Sequence, residues 1–352
     1  MPKMSNILIC DMPLRFDTYK GCSHGCEYCF VKFKTDISKI QNNESAQTLL
    51  NFINKRRNGE VVEKIFDYDI PLHWGGVSDP FQPLELERRR SLDCLKVFAK
   101  TKYPFVISTK NAIVSRPEYL ELLKDCNCAV QFSAIGSSYD DFEKGASTFL
   151  ERVEAMKKIS EIGIRVIVRA QPMLAKMENE LTENLKLFKE AGVHGLIIEF
   201  MKYKYKAVGT LKVRGDNVYP LETIKPVFDR VKKQANALGI KVYAGENRLR
   251  QYGDSLNCCG VGDLWKTHEA NLNHLLFDDK KVELKELHNN ILSGGSSQPN
   301  QWSLGQSTKD LELLKTLNYK KLLNMAMQSK SSLSDYTIDK KAYEAIKNFK
   351  PY

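Results

Sequence analysis

Tyr19-Lys20-Gly21-Cys22-Ser23-His24-Gly25-Cys26-Glu27-Tyr28-Cys29-Phe30 places three cysteines within eight residues. A C-x3-C-x2-C loop offers three thiolates to one inorganic centre and withholds the fourth ligand of a closed tetrahedral site. A [4Fe–4S] cluster held this way keeps one iron open to a non-protein ligand. A structural zinc site with His24 as fourth ligand is the rival reading, although a loop this short places the ring poorly. A disulfide framework is disfavoured, because three is an odd number and the remaining cysteines are scattered.

Outward from this loop, short β-branched runs alternate with longer amphipathic stretches, the pattern of βα units on a parallel sheet. The expected strands are Leu72–Val77, Phe105–Thr109, Ala129–Ala134, Arg165–Ala170 and Gly195–Met201, with a first one near Arg15–Tyr19. The expected helices are Ser45–Arg57, Leu84–Lys100, Pro117–Lys124, Thr148–Ile162, Glu178–Ala191 and Leu221–Leu238. Phe149, Val153, Met156 and Ile159 recur at helical spacing, and Gly163 and Gly192 follow their helices as stops. Six units, with a seventh strand at Lys241–Ala244, predict an α/β fold: an incomplete TIM-like (β/α)6 barrel. Chemistry in such sheets gathers at the C-terminal strand ends, where the cysteine loop falls. Residues 1–278 are read as the barrel. Residues 279–352, with a Gly/Ser-rich stretch and two helical patterns, are read as a helical extension packed on it.

The chain has 352 residues, 42% hydrophobic and 27% charged, enough for a large core. No run approaches the ~20 apolar residues of a membrane span, and the N-terminus lacks a signal-peptide core. A cytoplasmic protein with no membrane partner is expected, in a compartment where thiols stay reduced. The charge of +10, from 53 basic and 43 acidic residues, suits a phosphate-bearing substrate. Alone it does not establish nucleic-acid binding, which is not favoured.

The cysteine loop resembles the signature of the radical S-adenosylmethionine (SAM) superfamily. Gly75-Gly76-Val77-Ser78-Asp79-Pro80-Phe81-Gln82-Pro83-Leu84-Glu85 after the second strand, with Ser108-Thr109-Lys110 ending the third, resembles its spore photoproduct lyase and DNA repair photolyase branch. Glu143-Lys144-Gly145-Ala146, Arg152 and Gln171-Pro172 extend the likeness over roughly residues 14–200. The resemblance implies the radical SAM barrel and a [4Fe–4S] cluster on Cys22, Cys26 and Cys29 that reduces bound SAM. Cleavage then yields a 5′-deoxyadenosyl radical that abstracts hydrogen, with an electron donor such as flavodoxin or ferredoxin as partner. It implies SAM contacts from Tyr28, Gly75, Gly76, Ser78, Asp79, Ser108, Lys110, Ser133 and Arg152.

Two departures bear on the substrate. Phe30 stands where that branch has a second tyrosine, and no cysteine lies between Cys29 and Cys94 to serve as its hydrogen donor. The expected substrate is therefore a free nucleoside or nucleotide, with queuine lyase, which frees the base from queuosine or its 5′-phosphate, as the first reading. A DNA photoproduct lyase with another donor is the alternative. Glu199, amid apolar residues near the end of strand six, is expected to serve the ligand, and one of Cys258 and Cys259 to face it as a thiol. Gln82, Gln171, Lys202, Glu246 and Asn247 complete the expected substrate contacts. The Lys202-Tyr203-Lys204-Tyr205-Lys206 run suits a phosphate and a stacked base.

Overall fold

In the computed structural model the strand pattern becomes a curled sheet whose two faces do different work. The structure describes residues 3–4, 10–33, 36–58, 70–213, 216–269 and 274. Seven parallel strands lie in sequence order: β1 (Leu14–Phe16), β2 (Leu72–Trp74), β3 (Phe105–Thr109), β4 (Cys128–Ser133), β5 (Arg165–Met173), β6 (Val193–Phe200) and β7 (Lys241–Ala244). Lys3–Met4 adds an antiparallel strand outside β1, so among the described residues the sheet has two open edges. The partial barrel is as expected, and the seventh strand is present. The extension expected over 279–352 lies outside the described residues.

Helices α1 (Ala46–Arg57), α2 (Arg90–Thr101), α3 (Pro117–Leu123), α4 (Phe149–Glu161) and α5 (Leu221–Ala237) cover the outer face. Ser45 and Thr148 start α1 and α4 through capping boxes with Thr48 and Glu151, which satisfy the free amides of the first turn. Gly163 and Gly192 stop their helices at φ +82° and +74°. Two expected helices are broken. Arg89, at φ 54°, separates a single turn at Glu85–Arg88 from α2, and Asn184 separates Glu178–Glu183 from Leu185–Glu190. The first strand ends at Phe16 rather than Tyr19, because the chain turns into a small hairpin pairing Tyr19–Lys20 with Gln41–Asn42.

The inner face is apolar only at one end. Met12, Val106, Ala129, Ile167, Ile197, Tyr243, Cys259 and Val261 form a cluster drawn from β3 to β7, which a flat sheet would keep apart. The segment after β7 closes that end. Arg165, at the start of β5, donates to the Gly260 carbonyl at 3.2 Å, and Trp265 Nε1 donates to Asn127 Oδ1 just before β4 at 2.9 Å. Asp11, fully buried, accepts from Arg250 Nη1 and the Cys258 amide, both at 2.8 Å, and faces His274 Nε2 at 3.1 Å. This plug sits at the N-terminal strand ends. Among the described residues no helix is long and apolar enough to cross a membrane.

Burial alone would raise the Asp11 carboxyl, but Arg250 and His274 outweigh it and hold it well below the usual carboxylate range. A depressed folded pKa contributes stability above the unfolded value near 4, lost as pH falls below it. Asp11→Asn is therefore expected to destabilise at pH 7 by about 3–5 kcal/mol, since Arg250 is left buried beside a neutral group. The difference in thermal midpoint from the natural protein should narrow below about pH 4. An unchanged midpoint at pH 7 would contradict this role.

Candidate active site

The cysteine loop leaves the C-terminal end of β1 and is clamped from the β2 loop. Ser78 Oγ donates to the Gly21 carbonyl at 2.5 Å, and Gln82 Nε2 reaches the same carbonyl at 3.3 Å. Gln82 Oε1 accepts from the Ser23 amide at 2.9 Å. From the other side the Gly145 amide donates to the His24 carbonyl, and the Glu27 amide to the Phe142 carbonyl, both at 2.9 Å. A Cβ at Gly145 would stand 2.4 Å from the Ser23 carbonyl oxygen, so only glycine admits this contact. Gly75 is likewise required: at φ +95° a Cβ would lie 2.3 Å from the Ser108 carbonyl oxygen.

The motif after β2 is thus mostly scaffold. Asp79 accepts from Thr109 Oγ1 at 2.8 Å, from the Lys110 amide at 2.7 Å and from the Phe81 amide at 2.8 Å. Glu85, fully buried, accepts from Tyr19 and from Tyr119, and caps α2 through the Ser91 and Leu92 amides at 3.0 and 2.9 Å. Ser78 and Asp79, expected at SAM, and Gln82, expected at substrate, instead hold the loop; their polar atoms are committed and they are buried. Arg152 is corrected in the same way. Only 1% exposed, it donates to the Ser133 carbonyl at 2.6 Å and pairs with Glu143 at 2.6 Å and Asp140 at 3.1 Å. His24 turns inward, Nδ1 3.5 Å from Asp79 and Nε2 3.4 Å from Asn111 Nδ2, which removes it from any zinc set.

What the loop presents to the rim is soft. Cys26 is buried, and Cys22 and Cys29 are half-buried. Burial pushes the free thiols up, Cys22 to about 12 and Cys26 to about 11, with Lys110 opposing the shift at Cys26. Among the described residues no three His, Cys, Asp or Glu side chains already form a closed metal-ligating group. The three thiols are offered from one strand-end loop, a donor set that suits iron and sulfide. Lys110, paired with buried Glu143 at 2.9 Å, stands 5.3 Å over the Tyr28 ring. Burial lowers Lys110 to about 8. The Tyr28 hydroxyl is buried with no hydrogen-bond partner, an orphan that a bound group at this rim would satisfy. The residues present therefore fit the expected cluster and SAM.

Below the rim a polar ladder crosses the inner face. His73 Nε2 lies 2.8 Å from Ser108 Oγ, which donates to Gln131 Oε1 at 3.1 Å. Arg169 donates to Gln131 Oε1 at 2.8 Å and to Gln171 Oε1 at 2.9 Å, and Gln171 Nε2 donates to Glu199 Oε2 at 2.7 Å. Lys202 Nζ closes the series on Glu199 Oε1 at 2.6 Å. Glu246 is buried with Arg248 Nε 3.0 Å from one oxygen and no hydrogen bond at the other. Gln171, Glu199 and Lys202 are thus brought together. The side chain of Asn247 lies outside the described residues. Cys258 and Cys259, 3.3 Å apart, sit in the plug at the opposite strand ends, which corrects their expected place beside the ligand. Sequence reading missed His73, Gln131 and Arg169; Arg165, Arg169 and Gln171 alternating with apolar residues along β5 was the available signal.

The Radical SAM superfamily model matches residues 17–188. Among solved structures, spore photoproduct lyase complexed with dinucleoside spore photoproduct is 16% identical at a TM-score of 0.56, the match covering 66% of this chain and 76% of that one. A variant of that lyase with bound AdoMet and dinucleoside spore photoproduct is also 16% identical, with a TM-score of 0.52 over the same shares. At such identities the likeness shows the fold. No curated protein matches the chain.

Gln82→Leu keeps the volume and removes the clamp. Reconstituted protein carrying it should retain iron about 10–100-fold less tightly against a chelator, with far-UV circular dichroism unchanged. Equal retention would show that the clamp does not position the loop.

Proposed function

We propose that this chain, whose residues 17–188 match the Radical SAM superfamily model, is a radical SAM enzyme with a [4Fe–4S] cluster and SAM as cofactors, and a lyase acting on a nucleoside or nucleotide. We read it as a queuine lyase, which frees the base from queuosine or its 5′-phosphate. Cys22, Cys26 and Cys29 would hold the cluster; Tyr28, Lys110, Ser133, Gly75 and Gly76 would meet SAM. When bound, cluster and SAM supply homolytic C–H activation. The chain's own residues supply the rest. Burial keeps water from the Cys26 thiol, and the Lys110 ammonium offers positive charge to a carboxylate.

The observation that carries the nucleotide reading is the polar ladder from His73 to Lys202. Glu199 has both an amide donor and an ammonium on it, so it is held oriented, with lone pairs left for the N–H edge of a base. Gln171 and Gln131 fix the neighbouring donors. No cysteine of the described residues joins this ladder, in keeping with a reaction other than photoproduct repair. The alternative, a DNA photoproduct lyase, draws on one feature. The small sheet of Lys202–Tyr203, Leu211–Val213 and Asp216–Val218 carries an exposed, lysine-rich tip with Tyr205 77% exposed, a surface suited to a nucleic-acid strand. A reducing protein such as flavodoxin or ferredoxin would be the electron-donor partner.

Anaerobic reconstitution with iron and sulfide, then reduction with SAM, should yield 5′-deoxyadenosine and, from queuosine 5′-phosphate, free base. Cys26→Ala should yield neither. Glu199→Gln should slow base release about 10–100-fold, the ~1.5–3 kcal/mol of a hydrogen bond to a charged group. Turnover of a dinucleotide photoproduct alone would replace this reading with the alternative.

A further inference from the structure

Two arginines enter the inner face of the sheet from different strands, and no carboxylate of the described residues pairs with either. Arg15 stands on β1 with its Nε buried and without a hydrogen-bond partner. A Cβ built on Gly76 would lie 3.6 Å from Arg15 Cδ, 3.7 Å from its Nε and 3.7 Å from His73 Cε1, so the arginine stem and the imidazole share one wall. Arg169, on β5, spends its Nε and Nη1 on the neutral amide oxygens of Gln171 and Gln131. Both guanidinium groups act on His73: after burial, Arg169 and then Arg15 hold its pKa well below the usual value. Glu199, on the same face, is engaged by Gln171 and Lys202. Asp17, just past the end of β1, takes the Val77 and Ser78 amides at 3.3 and 3.4 Å. Among the described residues neither Arg15 nor Arg169 forms an ion pair.

Two like charges converging on one neutral ring in a half-buried space repel each other, and an anion between them removes that repulsion. Guanidinium groups match the multi-oxygen face of a phosphate, two N–H groups to two oxygens. We propose that Arg15 and Arg169, on either side of the neutral His73 ring, form a phosphate subsite, so that the substrate of the reaction proposed above is a nucleoside monophosphate. The inference rests on the nucleotide reading and narrows it. Lys202, locked to Glu199, orients the base edge, and the phosphate falls to the arginines.

The test is calorimetric titration of the full-length, cluster-loaded protein with guanosine 5′-monophosphate, guanosine, inorganic phosphate and methionine. The monophosphate should bind at least about tenfold tighter than guanosine, and inorganic phosphate should displace it. Arg15→Gln and Arg169→Gln should each bring the two affinities within about twofold, with Arg15→Lys and Arg169→Lys in between. If a glutamine variant does not fold, salt carries the test on the natural protein: added potassium chloride should weaken the monophosphate and leave guanosine unchanged. Equal affinity for monophosphate and guanosine overturns the proposal, as does a preference that survives both glutamine variants. Displacement by methionine but not by phosphate overturns it too, by giving the pair to the SAM carboxylate. Base release at equal rates from queuosine and its 5′-phosphate would remove the subsite and leave the lyase reading standing. Arginine-dependent phosphate binding with no base release would do the reverse.

Discussion

The hydrogen bonds from Ser78 and Gln82 to the Gly21 carbonyl, with the return bond from the Ser23 amide to Gln82, fix where the three thiols stand. A loop of this kind has little apolar surface of its own and cannot order itself through burial. Its order is borrowed from the β2 loop, whose Asp79 is anchored on the end of β3 and whose Glu85 is anchored on the first turn of α2. Each anchor is a carboxylate or amide buried with its lone pairs filled, the condition under which a buried polar group fixes one geometry rather than destabilising it. The rim is therefore tied to the sheet through backbone amides, and Gly145 completes the clamp because no Cβ fits there.

The inner face divides along the strand direction into a sealed end and a working end. Apolar side chains from five strands, plugged by the segment around Cys259 and Val261, close the N-terminal side. Polar side chains on the next positions of β3, β4, β5 and β6 form the ladder, and the cysteine loop stands above it. A substrate entering at the rim meets the Lys110 and Tyr28 wall first and the Glu199 and arginine groups below. On the proposed function this order would put hydrogen abstraction near the mouth and recognition deeper in, with the thiols of the plug beyond both.

Much of this was legible in the sequence. Six strands and their helices followed from alternation of period and from caps such as Thr148, since local preference and tertiary packing agree there. The cysteine loop was legible because its chemistry is local. The roles of Ser78, Asp79, Gln82 and Arg152 were not: a motif shows which residue types recur together but not whether they face a ligand or each other. Arg15, His73, Gln131 and Arg169 were hidden for the opposite reason. Each is a single polar residue in a short strand, and only the strand order brings them onto one face. The same order sends Cys258 and Cys259 to the far end, a matter of topology that spacing cannot convey. Arg89 and Asn184 broke helices in stretches whose apolar period continues through them.

The central claim is that three thiols of one clamped loop leave an iron open for SAM. Electron paramagnetic resonance of the reduced, reconstituted protein tests it most directly. The account predicts a cluster signal whose g values shift when SAM is added. The signal should be absent from the Cys22→Ala, Cys26→Ala and Cys29→Ala proteins and intact in Cys258→Ala. A signal indifferent to SAM, or one that survives Cys26→Ala and is lost in Cys258→Ala, would contradict it.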